Sequence, residues 1–115
     1  MNQKVYQSLS DIIPVTTVHN IGAKFVFLKE HDTETLLTQF AYGKLMPGED
    51  VEQHLHPTME EYFYFINGEG EYIIGNDVFS IKPSSFFRIP ANTIHAIKPA
   101  GTVPLTFVYF GIATQ

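Results

Sequence analysis

A chain of 115 residues suffices for one domain, and 44% hydrophobic against 17% charged residues excludes the composition of a disordered segment. The absence of cysteine excludes disulfide staples, thiolate metal sites and cysteine nucleophiles. A net charge of −5, with Arg88 as the only arginine, weighs against a nucleic-acid partner, which needs a basic footprint.

In chain order, residues 1–20 read as an N-terminal arm ahead of a barrel domain at 21–115. The first residues are polar, with no apolar run of the signal-peptide kind, and no stretch approaches the roughly 18 apolar residues of a membrane span. A cytoplasmic protein without membrane contact is the expectation. Pro14 argues against a central strand in the arm, which leaves an edge strand or a segment crossing to a partner subunit. Residues 23–30 and 35–44 form a strand pair joined through the polar stretch 30–34, and Met46-Pro47-Gly48 is a turn. The strand at 61–66 ends on Asn67-Gly68, a dipeptide suited to a tight hairpin, with 71–74 as the return strand. Gly75-Asn76-Asp77 turns into a strand at 78–81, and Lys82-Pro83-Ser84-Ser85 breaks it. Strands at 86–89, 93–97 and 105–110 complete the set, separated by Pro90-Ala91-Asn92 and by 99–104. One short strand about every 8–12 residues signals a sandwich or closed barrel. Ten Phe and six Tyr suit pleated, half-buried surfaces.

Charge is unevenly placed. No lysine or arginine occurs between Lys44 and Lys82, a stretch that carries Glu49, Asp50, Glu52, Glu60, Glu61, Glu69, Glu71 and Asp77. Such a field attracts cations, although most of these residues read as a solvated rim. His54 and His56 lie two apart, which on a strand sends both imidazoles to one face. Glu61 follows at the start of the next strand, and His95 comes after the Pro90-Ala91-Asn92 turn. A barrel can bring all four together. Imidazole and carboxylate suit one divalent ion among iron, manganese, zinc, nickel, cobalt and copper. Phe63 and Phe65 are in phase with Glu61, so an unpaired carboxylate there is expensive unless a cation relieves it.

Glu60 is the alternative to Glu61 as the carboxylate ligand, and strand alternation aims the two to opposite faces. Glu52 shares the parity of His54 and His56, which makes Glu52 and Glu60 the candidate proton carriers, with a solvated Glu52 as the plainer reading. Gln39, Tyr42 and Lys44 lie on the strand leading into this segment. Only one of Gln39 and Phe40 can face inward, and the sequence leaves open which. Arg88 is either a clamp for a substrate carboxylate or an outer surface charge. His31, in a polar turn, and His19 read as surface residues, with His19 at an interface as the alternative. Tyr62, Tyr64 and Ile66 face away from Phe63 and Phe65, toward a partner that packs on the sheet.

The run from Gly48 to Gly68, with His54, His56 and Glu61 at their spacings, resembles the first motif of the cupin superfamily: G, five residues, H-x-H, three or four residues, E, six residues, G. Residues 84–99 resemble the second motif, with Pro90 and His95 in place. Ser84 and Asn92 replace the motif's glycines and Pro99 its closing Asn; Asn tolerates left-handed backbone, and Ser84 fits a less strained turn. The resemblance implies an all-β double-stranded β-helix, a jelly-roll-like barrel. It implies one divalent metal ion held by His54, His56, Glu61 and His95, open positions for a small-molecule ligand or substrate, and a homodimer formed by packing sheets. Relatives include dioxygenases, decarboxylases and isomerases or lyases of small polar molecules. A non-catalytic barrel that binds or senses a sugar or acid is the alternative. A storage or structural barrel is a third reading, opposed by the presence of all four ligands.

Overall fold

The computed structural model describes residues 5–16 and 21–115. Its strands are β1 (Ala23–Lys29), β2 (Leu37–Leu45), β3 (Val51–His54), β4 (Met59–Asn67), β5 (Glu69–Ile74), β6 (Asp77–Ile81), β7 (Phe86–Ile89), β8 (His95–Ala100) and β9 (Leu105–Ala113). They form a five-stranded sheet in the order β1-β2-β9-β4-β7 and a four-stranded sheet in the order β3-β8-β5-β6. Every pairing between these strands is antiparallel. The architecture is the all-β double-stranded β-helix that the cupin resemblance implied, and it agrees with the sandwich or closed barrel expected from the strand rhythm. No helix among the described residues is long and apolar enough to cross a membrane.

Alternation along the strands builds the core. In β4, Glu61, Phe63 and Phe65 are buried while Tyr64, Ile66 and Asn67 are exposed. The register sets Phe63 opposite Tyr109 and Phe65 opposite Phe107, so the inner face of the large sheet is a continuous aromatic layer. Tyr72, Ile81 and Ile97 of the small sheet pack onto it. Contact is close enough at Gly43 that a Cβ there would lie 2.4 Å from the Phe107 ring. The outer face of the large sheet is also apolar. Phe40 and Tyr62 both stack on Phe110, at centroid distances of 5.6 and 4.9 Å, and Tyr64 and Phe86 stand exposed beside them.

Three local expectations are corrected. Asn67-Gly68 does not close a hairpin, because β4 and β5 belong to different sheets. Gly68 instead carries the chain across the barrel corner at φ 92°, where a Cβ would lie 2.5 Å from the Pro104 carbonyl oxygen. Ser84 does not relax its turn. It sits at φ 75°, a left-handed conformation unfavourable for a residue with a Cβ. Long-range pairing holds it there, since the Ser84 N–H donates to the Phe65 carbonyl at 2.8 Å. Pro99 lies inside β8 rather than after it. It is tolerated because β3 reaches only Val51, opposite Ile97, so Pro99 has a neighbouring strand on one side alone.

In the arm, Leu9–Asp11 forms a short 3-10 turn. Val15 then bridges Lys24 at the free edge of β1, through backbone hydrogen bonds of 2.9 and 2.8 Å. His31 is exposed at φ 75°. His19 lies outside the described residues.

Candidate metal centre

His54 and His56 do not share one strand. His54 is the last residue of β3, opposite His95 in the register, and His56 lies in the loop beyond. The two converge for a different reason from strand alternation. The Asn92 N–H, from the turn before β8, donates to the His56 carbonyl at 2.7 Å and ties the two loops together. Asn92 holds φ 63° to do so, a conformation Asn tolerates better than most residues. Glu61 comes from the inner face of β4 across the barrel. Ligand atoms of His54, His56, Glu61 and His95 all lie within 4.8 Å of one another.

The proton positions follow from the backbone. A carbonyl oxygen only accepts, so the Nδ1–H of His54 donates to the Glu52 carbonyl at 2.8 Å, and the Nδ1–H of His95 to the Thr93 carbonyl at 2.9 Å. In the neutral rings Nε2 is then a bare lone pair, the form that binds metal. His95, 2% exposed, keeps its Nε2 buried without a hydrogen-bond partner. That nitrogen and the His56 Nε2 both stand 3.4 Å from Oε1 of Glu61. Burial by itself pushes the Glu61 carboxyl up, but the imidazoles of His56 and His95, when they carry a proton on Nε2 and donate it to the carboxylate, more than reverse this and hold it at about 2. It is therefore a carboxylate at neutral pH. His54 is lowered, chiefly by burial, and His56 is raised, chiefly by its contact with Glu61. An orphaned buried lone pair beside a carboxylate, with two more imidazoles converging, is a donor set that fits a divalent cation.

The four side chains open onto a cavity of about 180 Å³. Its wall is mostly apolar, including Val51, Phe63, Ile97 and Phe107. Gln39 lines it, while Phe40 and Tyr42 turn to the outer face, where Tyr42 packs edge-on against Phe25 at 5.7 Å. Lys44 lies at its rim. Lys24, Tyr72 and Tyr109 also line it and were not singled out as polar site residues from the sequence. Tyr109 is in phase with Phe107, and burial pushes its phenol well above the ordinary range.

The other candidates stand apart. The Glu52 side chain is exposed and outside the cavity wall; only its carbonyl reaches the site. Glu60 lies on the outer face, where it accepts from Arg88 Nε at 3.0 Å, Arg88 Nη2 at 2.6 Å and the Tyr62 hydroxyl at 2.6 Å. Alternation along β4 puts it there, so it offers the cluster neither a ligand nor a proton route. The same contact holds Arg88 outside the cavity, where it cannot clamp a ligand.

Residues 41–111 match the family described as Cupin domain. An uncharacterized protein of Methanocaldococcus jannaschii is 38% identical over 52 residues, covering 45% of this chain and 42% of that protein. A 5-nitrosalicylic acid 1,2-dioxygenase of Bradyrhizobium is 36% identical over 55 residues, covering 48% and 26%. The chain spans about half the length of the first curated relatives it matches. Among solved structures, one described as a predicted oxalate decarboxylase from Thermotoga maritima superposes with a TM-score of 0.84 at 23% identity, covering 92% of this chain and 96% of that one. At that identity the likeness is one of fold.

Proposed function

The chain belongs to the cupin domain family, and from that premise we propose that it is a divalent-metal-dependent enzyme acting on a small carboxylate, enol or sugar derivative by decarboxylase, dioxygenase or isomerase-type chemistry. The observation that carries this is the buried, unpartnered Nε2 of His95 aimed into the same cluster as Glu61, His54 and His56. These four residues would hold one ion of iron, manganese, zinc, nickel, cobalt or copper. When bound, the ion supplies a Lewis acid and a template for the substrate's oxygen atoms.

The chain's own groups do the rest. The Glu52 and Thr93 carbonyls fix the tautomers of His54 and His95. The apolar wall keeps bulk water from the reacting centre, and Gln39, Tyr109 and Lys24 are the polar groups able to orient a ligand. Two similar proteins, one named a 5-nitrosalicylic acid 1,2-dioxygenase and one described as a predicted oxalate decarboxylase, support a small acid as substrate. A second reading, a barrel that binds a small acid or sugar without turning it over, is favoured by the removal of Glu52 and Glu60 from the cavity. The aromatic outer face of the large sheet, with Tyr64 44% and Phe86 61% exposed, supports a homodimer through that face.

The test is elemental analysis of the purified chain, followed by a panel of small carboxylates and sugars assayed with the metal-loaded protein. One equivalent of ion and turnover of a panel member is expected. Binding without turnover favours the second reading, and an absence of ion uptake by any metal on the list refutes both.

A further inference from the structure

Tyr72 is the polar side chain most deeply set in the core, with 0% of its surface exposed. The β5–β8 register places it opposite Ile97, and Ile74 opposite His95. The phenol therefore sits on the inner face of the small sheet, two residues along from the rung that carries His95. Phe63 packs against it edge-on at 5.4 Å from the other sheet, and the His95 ring is 6.2 Å away. Phenylalanine occupies the surrounding core at positions 63, 65, 87 and 107, and a phenylalanine here would fill the same space. Yet the chain carries a hydroxyl at this position, and that hydroxyl has no hydrogen-bond partner. A buried, unpaired polar group is destabilising, so the oxygen needs a use that packing does not supply.

The cavity narrows the choice. Glu61 is the acidic side chain in the cavity wall that Tyr72 also lines, and a carboxylate is the strongest acceptor a phenol can find there. Two orphaned atoms thus share one site: the His95 Nε2 and the Tyr72 hydroxyl. On the metal reading of the site, on which this inference rests, an ion satisfies the first. A carboxylate that gives one oxygen to an ion keeps lone pairs on the other, and ligating carboxylates are themselves hydrogen-bonded. We propose that Tyr72 is a positioning residue for the Glu61 ligand, its buried hydroxyl donating to the carboxylate oxygen that the ion does not take.

The test uses the full chain stripped with a chelator. Tyr72→Phe keeps the ring and removes one oxygen. Zinc affinity, measured by competition with a chromophoric chelator, is expected to fall about tenfold or more. The zinc-free variant should melt no lower than wild type, because the atom removed makes no bond there. The visible spectrum of the cobalt-loaded protein should also change. Ile97→Val, which trims the same cavity wall without touching a hydroxyl, should leave zinc affinity unaltered. Wild-type affinity in Tyr72→Phe overturns the inference while leaving the metal reading intact. So does a fall that Ile97→Val reproduces, or a zinc-free Tyr72→Phe chain that melts lower or fails to fold. If wild type takes up neither zinc nor cobalt, the metal reading fails and the inference falls with it.

Discussion

Glu61→Gln probes the electrostatics of the site without needing to know the ion. Glu61 is 6% exposed, and its carboxyl is held at about 2 in place of 4.5, burial opposing and the two imidazoles prevailing. At about 1.4 kcal/mol for each pH unit, that difference corresponds to about 3 kcal/mol of folding stability. The sign is that of a depressed acid: the contribution is complete above pH 4.5 and is lost as pH falls toward 2. Gln preserves the shape but cannot ionise. The stability gap between chelated wild type and chelated Glu61→Gln should therefore shrink by about 3 kcal/mol between pH 6 and pH 2. Other carboxylates are common to both chains and cancel in the difference. Urea unfolding followed by circular dichroism measures it. A gap that stays constant across that range would refute the claim that the His56 and His95 contacts stabilise the carboxylate.

His56→Ala should sharply reduce metal content by mass spectrometry while the β-sheet circular dichroism persists, and Glu60→Gln on the outer face should leave metal content unchanged. Acidification below about pH 5–6 should release the ion, because imidazole must be unprotonated to coordinate; retention of a full equivalent after dialysis at low pH contradicts the ligand set. Gly43→Ala should cost about 1–3 kcal/mol in urea unfolding, since its Cβ would lie 2.4 Å from the buried Phe107 ring, and an unchanged midpoint would mean that the core yields there.

Period-two alternation is local, and it was legible. Glu61, Phe63 and Phe65 are buried and Tyr64 and Ile66 exposed, as the pattern requires. The strand at Phe86–Ile89 has the bounds that its flanking turn residues imply. The spacings of His54, His56, Glu61 and His95 also belong to the sequence, and these side chains do converge. Their route was not legible, however. His56 is placed by the Asn92 hydrogen bond beyond the end of β3 rather than by strand parity.

By itself, then, the sequence determined the strand-rich class and the residues able to meet at one point. Only the tertiary structure decided which sheet each strand joins, and therefore which neighbours a residue has. Asn67-Gly68 reads as a hairpin because a dipeptide carries φ preferences and no record of its distant partners, yet β4 pairs with β7 and β9 while β5 pairs with β6 and β8. The same reason hid the inward turn of Gln39, the left-handed Ser84 held by Phe65, and the orphaned hydroxyl of Tyr72. Each is set by a contact between segments far apart in the chain, and local periodicity says nothing about such contacts.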